Sequence, residues 1–491
     1  MSVILKQSFW STIIIYIGVL LGFVNSIILF PKYLSTEQIG LIRQIISAAI
    51  ILIPITTFGA SATYVKFYPS FKDDRNKKNE FFSFQLFIIL ISYSIVYLII
   101  NFFYEDIKSL FTQKSEIFFQ YFDVLFLILF IMSVSSLFES YLRARYHTIL
   151  NNIINGVSNR FFTGITVILL SYAFIDFNTL INLQVYIYLL GVIILIYYSI
   201  HKDKISIQTS FISIKKSFKK ILDFSAFSFL GSFSNIIVLN VDVLMVTSIL
   251  GLSDTGIYTT AFYIGMIIEI PRRAISQISI PFISEQVNNK NFEKIEKNYK
   301  DVSLHQMLIG VLFLILIFIN LQNIYNLLPN SKNFISGMDV VYIIALSKLV
   351  MMSFSYSSEL INFSKYYKFT VVTIIILAFL TISLNLILIP KFGMIGAAYA
   401  SLISISVFNL IKFIFIKIKM DITPFSINSI KIIVIGIIVY YFSDFIPDLD
   451  SPFLDIIIKS VITSLVYIII VITLKISPEL NSIILKNVTK K

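Results

Sequence analysis

The chain has 491 residues, 57% of them hydrophobic and 13% charged, with no cysteine and a mean hydropathy of +0.87. A soluble domain is about 45–50% apolar and about 25% charged, and soluble cores stop growing beyond roughly 250–300 residues, so the excess apolar surface must face lipid. The net charge of +12 is then a loop bias that orients spans and no sign of nucleic-acid binding, and disulfides, thiol nucleophiles and thiolate metal sites are excluded.

A transmembrane helix needs about 20 predominantly apolar residues, and about fourteen such stretches follow one another. They fall at 8–30, 39–66, 81–104, 117–142, 149–175, 179–200, 221–250, 255–284, 302–328, 337–364, 367–389, 393–416, 426–446 and 453–475. The sequence therefore predicts an all-α integral membrane protein. The first run, Phe9 to Phe30 after Lys6, has no small-residue cleavage site behind it and is expected to be a span, not a cleaved leader. The fifth opens on a polar stretch, Asn151, Asn152, Asn155, Asn159 and Arg160.

Basic residues sort by loop. With a cytoplasmic N-terminus, the inner loops hold Lys66, Lys72, Arg75, Lys77 and Lys78, then Arg143 and Arg145, then Lys202, Lys204, Lys215, Lys216, Lys219 and Lys220. Further inner groups run from Lys290 to Lys300, then Lys365 and Lys368, then Lys412, Lys417, Lys419 and Lys431, with Lys475 to Lys491 in the tail. The outer loops hold only Lys32, Lys108, Lys114, Lys332 and Lys391. This sorting predicts both termini in the cytoplasm. Heavy use of Ile, Asn, Lys and Phe points to an AT-rich bacterial genome. Two inner segments, 205–220 and 285–300, interleave apolar and basic residues. Each is expected either as an amphipathic helix on anionic lipid or as a solvated connector.

A repeat is visible. The turn YLSTEQIGLI around Gly40 and the turn ILGLSDTGIY around Gly256 both run through a Ser/Thr/acidic segment to a glycine that opens a helix. Each following span carries a mid-helix proline, Pro54 or Pro271, expected to act as a hinge, and then a charged segment. The chain is thus expected to divide into a lobe of about six helices at 1–200, an amphipathic cytoplasmic connector at 201–220, and a second such lobe at 221–420, related by a parallel repeat. Residues 421–491 add two helices and a basic tail.

The stretch LNLILIPKFGMIGAAYASLIS (384–404) resembles the junction of spans eleven and twelve in bacterial polysaccharide-export flippases of the multidrug/oligosaccharidyl-lipid/polysaccharide exporter superfamily. VDVLMVTSILGLSDTGIYTTA (241–261) is similar to that family's junction of spans seven and eight, with an intramembrane acid before G-[IL]-Y, and NSIILFPKYLSTEQIGLI resembles its first turn. The junction SYAFIDFNTLINLQ departs from the Pro-x-x-Gly-x-x-Gly-Ala pattern, so the repeat assigns no residues there. The resemblance implies a lipid-linked oligosaccharide as cargo, usually on undecaprenyl diphosphate. The cargo would pass from the cytoplasmic to the outer leaflet by alternating access, for capsule, exopolysaccharide or O-antigen.

A diphosphate headgroup needs cations along its path, and a charge inside a span costs about 2.5–3.5 kcal/mol unless it faces a cavity or partner. The candidates for the substrate path are Arg43, Arg160, Arg272, Arg273 and Lys348, with Asn25 and Asn240. Arg43 is alternatively placed to snorkel, Lys348 to neutralise a neighbouring helix, and Glu269 to pair with Arg272 or Arg273 along its own helix. Asp242 and Glu269 are the candidates for coupling to a proton or sodium gradient. No cofactor, metal spacing or nucleotide-binding loop is expected, and no enzymatic activity. The expected partners are the lipid-linked oligosaccharide, membrane lipids and polysaccharide polymerase machinery around a monomer. Rival readings are a multidrug or cation antiporter of the same superfamily, a peptidoglycan-precursor flippase, and a membrane polysaccharide polymerase.

Overall fold

The computed structural model describes residues 3–145, 147–203, 205–272, 283, 285–287 and 291–477. No strand occurs among them, and 13 helices are long and apolar enough to cross a membrane. In the first half these are α1 (Ile13–Tyr33), α2 (Thr36–Thr57), α3 (Arg75–Phe102), α4 (Phe122–Ala144), α5 (Thr148–Ser171), α6 (Phe177–Lys202) and α7 (Phe218–Ile249). The eighth expected span is represented by α8 (Leu252–Gly265), which passes through a tight turn, Met266–Glu269, to Arg272. Then come α9 (Phe292–Leu327), α10 (Ile335–Ser353), α11 (Tyr367–Phe392), α12 (Met394–Met420), α13 (Ile427–Phe445) and α14 (Pro452–Thr473).

Short polar residues set the helix starts by satisfying the first free N–H groups. Ser35 and Gln38 form a capping box on α2, with Ser35 Oγ accepting from Gln38 N at 3.1 Å and Gln38 Oε1 from Ser35 N at 3.0 Å. Asp74 accepts from Asn76 N and Lys77 N ahead of α3, and Asn291 accepts from Lys294 N ahead of α9. The break foreshadowed by Pro54 falls one turn later. Phe58 (φ 45°) and Gly59 (φ 70°) are left-handed, and a short helix, Ala60–Phe67, resumes beyond them. A side chain at Gly59 would also strike α7, because its first carbon would lie 2.3 Å from Ser225 O.

The chain forms two compact units, Met1–Thr259 and Thr260–Lys491. In the first, α2 packs along α7 and against α4, α4 against α6, and α1 against α5. One end is filled by an aromatic core that includes Tyr64, Phe81, Phe82, Phe138 and Tyr141. In the second, α9 packs on α10, α13 and α14, while α12 packs on α10 and α11. Lipid-facing stripes remain exposed, such as Ile437 and Ile438 on α13 and Leu465 and Ile469 on α14.

Of the two segments expected as amphipathic helix or connector, the first is a connector and the second is helical from Phe292. Residues 205–211 carry no helix, a 3-10 turn covers Ile212–Ser217, and α7 begins at Phe218. The reason is local: the connector is pinned to α3 by Asn79 Nδ2 donating to Ser206 Oγ (2.7 Å), Gln208 N to Ser83 Oγ (2.8 Å) and Ser213 N to Glu80 Oε2 (2.9 Å). In the second segment the residues from Phe292 onward are the helical start of α9, where Ile295 and Tyr299 are buried beside Tyr356, Leu360 and Ile416 while Phe292 stays exposed.

The C-terminal helices are stitched to α9 by polar contacts at four levels. Asp455 accepts from Asn323 Nδ2 (2.5 Å), Ser460 from Asn320 Nδ2 (3.1 Å), and Leu308 O from Tyr467 Oη (3.0 Å), while His305 Nε2 meets Ser477 Oγ (3.1 Å). Asp455, 2% exposed, also holds Lys459 (2.9 Å) and Leu449 N (3.0 Å), and Lys459 reaches Asp448. Losing a buried hydrogen-bonded partner costs on the order of 2 kcal/mol. Asp455→Ala is therefore expected to lower the thermal unfolding midpoint of the detergent-solubilised protein by several degrees. Asp448→Ala, at an exposed carboxylate, is expected to change it little; equal losses would contradict the buried seam.

Candidate functional site

In the first unit, three of the predicted path residues meet at one widened turn. α1 is π-helical over Val24–Leu29, and α5 is π-helical over Ile153–Ser158. Such turns are rare and carry one residue more per hydrogen-bonded ring, which rotates the flanking side chains. Asn25 on the α1 turn donates to Arg160 O on α5 (2.7 Å). Its neighbour Ser26 accepts from Arg43 Nη2 on α2 (2.6 Å). The Arg43 guanidinium also lies 5.2 Å from the centre of the Phe30 ring. Arg160 Nη1 donates to Gly18 O, and the guanidinium covers Gly22, where an added carbon would sit 3.1 Å from Nη1. Arg43 and Arg160 thus flank residues 25 and 26 from two helices. Ser26 was missed in the sequence; its signal was a polar Asn-Ser pair inside an otherwise apolar run.

Asp242 on α7 is 6% exposed and accepts from Tyr258 Oη at 3.1 Å. Tyr258 is the tyrosine of the GIY motif. Asn240, two residues away, bonds to Ile236 O on its own helix. Nearby, Thr247 donates to Gln44 Oε1 (2.8 Å) and lies 2.8 Å from Thr255 Oγ1, and all three residues are fully buried. This network lies beside a reciprocal crossing of the two repeated turns. A methyl group at Gly40 would lie 1.8 Å from Leu252 O, one at Gly256 would lie 2.0 Å from Thr36 O, and Thr36 Oγ1 sits 2.7 Å from Ser253 Oγ. Only glycine admits such backbone approach.

In the second unit the acid Glu269 pairs across helices. Its carboxylate lies 3.2 Å from Lys348 Nζ on α10, and both residues are buried. Of the partners expected along its own helix, Arg272 forms no ion pair with Glu269 among the described residues, and Arg273 lies outside them. The tight turn Met266–Glu269 that precedes Pro271 packs on α10 and places Glu269 there. Lys348 Nζ also stands 5.3 Å from the Phe262 ring centre. Arg272 is half-buried just after Pro271, while Arg273 lies outside the described residues.

One cation was misplaced by the loop reading. Lys412 is no loop residue: α12 runs on to Met420, and Lys412 is 3% exposed inside it. Its ammonium donates to Ser358 Oγ (2.9 Å) and stands 3.9 Å from the Phe408 ring centre. The charged side chains that act on it are Glu359 and Arg272. No group of His, Asp or Glu able to hold a metal ion occurs among the described residues.

A family profile described as "Polysaccharide biosynthesis protein" matches residues 4–287. No curated protein matches the sequence. Among solved structures, the lipid II flippase MurJ in an inward closed conformation superposes with a TM-score of 0.75 at 17% identity, over 95% of this chain and 97% of that one. An inward-facing MATE family multidrug transporter of the MOP superfamily gives 0.63 at 14% identity, over 82% of this chain and 94% of its own. A MOP superfamily transporter from Pyrococcus furiosus gives 0.58 at 14%, over 85% and 95%. At these identities the likeness establishes the fold: the helices follow the MurJ and MATE architecture.

The Glu269–Lys348 pair generates a sharp expectation. Removing the carboxylate leaves the buried Lys348 ammonium without this counter-charge, which costs about 3–5 kcal/mol, whereas removing both charges is often near neutral. Glu269→Gln and Lys348→Met are each expected to lower the unfolding midpoint, and the double variant to recover most of the loss. Additive losses in the double variant would show that the pair is not coupled.

Proposed function

Because the chain belongs to the polysaccharide biosynthesis protein family, we propose that it flips an undecaprenyl-diphosphate-linked oligosaccharide from the cytoplasmic to the outer leaflet of a bacterial inner membrane. It does so by alternating access, with both termini cytoplasmic, and hands its cargo to polymerase machinery for capsule, exopolysaccharide or O-antigen. The family match is the observation that carries this reading. Charge supports it: cations sit inside spans of both units, and arginine suits phosphate because its two N–H groups match two oxygens. In this reading Arg43, Arg160 and Arg272, with Lys348 and Lys412, attract the diphosphate, and Asn25 and Asn240 line the path. Asp242 and Glu269 couple transport to a proton or sodium gradient, and the breaks after Pro54 and before Pro271 act as hinges.

The share of chain covered favours a flippase over a multidrug antiporter. The MATE structures are matched over 94–96% of their own length yet leave 15–18% of this chain unmatched. The MurJ structure covers 95% of this chain. That coverage also keeps the peptidoglycan precursor open as a second cargo.

Deleting the gene is expected to abolish surface polysaccharide while cytoplasmic assembly of the glycolipid continues. Arg43→Ala is expected to lower complementation at least about tenfold, the usual cost of losing a charge-assisted contact. Normal surface polysaccharide on depletion of the protein, with viability lost instead, would move the assignment to the peptidoglycan precursor. The cysteine-free sequence permits a direct test of the crossing at Thr36 and Ser253. Thr36→Cys with Ser253→Cys is expected to form a disulfide that stops transport until it is reduced; full transport by the cross-linked protein would rule out opening at that end.

A further inference from the structure

The connector between α6 and α7 holds a site outside the transport path. Its inward residues are fixed: Ile205 and Ile214 are buried in the aromatic core of the first unit, and three hydrogen bonds tie it to α3. Its outward residues are left uncovered. Ile207 is 74% and Ile212 72% exposed, and Phe87 on α3 and Phe218 on α7 are about half exposed. Between the connector, α3 and α7 lies a cleft of about 560 Å³. Phe211 lines it, 5.7 Å from Phe84 and 6.0 Å from Phe87, and Phe218 lies 5.8 Å from Phe84. Phe87 opens the lipid-facing stripe of α3, continued by Leu90, Ile91, Ile95 and Leu98, so the apolar wall runs from the cleft into the hydrocarbon region.

The rim is basic. Lys215 lines the cleft, and Lys219 and Lys220 follow it, all exposed. Asp223 is the one acid within a turn of them, and the Glu80 carboxylate on α3 is engaged by Ser213 N. An apolar cleft continuous with the exposed stripe of α3, with Lys215 in its lining and Lys219 and Lys220 exposed on the adjoining start of α7, is complementary to one chemistry: an acyl chain carrying a phosphate. We propose that this cleft binds an anionic phospholipid of the bilayer, with an acyl chain against Phe84, Phe211 and Phe218 and the phosphate at Lys215, Lys219 and Lys220. The lipid would tie the connector to the membrane surface without the connector being a helix. This site stands whether or not the cargo is a lipid-linked sugar.

The test uses the purified full-length protein, presented with equal amounts of phosphatidylglycerol and phosphatidylcholine and examined by native mass spectrometry. Wild type is expected to retain phosphatidylglycerol several-fold over phosphatidylcholine. Lys215→Gln with Lys219→Gln and Lys220→Gln, all at exposed positions, is expected to abolish that preference with an unchanged unfolding midpoint. Phe211→Ser is expected to lower retention of both lipids. A photoactivatable phosphatidylglycerol should label residues 207–218 in wild type and lose that label in the triple variant. An unchanged lipid ratio in the triple variant, labelling elsewhere, or a protein dimer that covers the cleft would each overturn the proposal.

Discussion

The hydrocarbon interior hydrates nothing, and the arrangement of this protein follows from that. Every charged or strongly polar group carried into a span needs a partner from the protein, and the partner fixes which helices meet. Glu269 draws α10 to the turn before Pro271 through Lys348. Asp455 draws α14 and the preceding loop to α9. Arg43 and Arg160 draw α2 and α5 to the π-helical turn of α1. These contacts add geometry that apolar packing between lipid-bathed helices cannot supply, since lipid tails are as apolar as leucine.

Spans and fold class were legible because they depend on composition along a continuous window, which one-dimensional reading captures. The placement of charges was legible only as a set. Arg43, Asn25 and Arg160 were each singled out, but their meeting depends on two π-helical turns that rotate side chains by an amount no periodicity reveals. Glu269 was read against Arg272 or Arg273 on i+3 and i+4 spacing, and the structure adds Lys348 on α10 as a partner, which no spacing along one helix reveals. Lys412 was taken for a loop residue because lysines crowd the following positions. The helix carries on past it, and the nearest lysines at 417 and 419 are the ones at the helix end.

The two amphipathic segments each bury one side against the protein itself. Alternation of apolar and basic residues states that a segment has a buried side, not what buries it. At Ile205 and Ile214 the burying surface is the protein's own aromatic core, and at Ile295 and Tyr299 it is α10–α12 territory around Tyr356, Leu360 and Ile416. The repeated turns fared differently. The glycines that made the repeat visible, Gly40 and Gly256, are the residues at which the two turns cross, so the sequence signal and the steric demand coincide.

The central claim is movement of a lipid-linked diphosphate between leaflets, and reconstitution tests it most directly. Proteoliposomes would be loaded with a fluorescent polyprenyl-diphosphate oligosaccharide, and a membrane-impermeant quencher would report its arrival in the opposite leaflet. The account predicts protein-dependent arrival that Arg43→Ala and Arg272→Ala each slow and that a proton or sodium gradient accelerates. Arrival no faster than in protein-free vesicles, under any gradient, would contradict it.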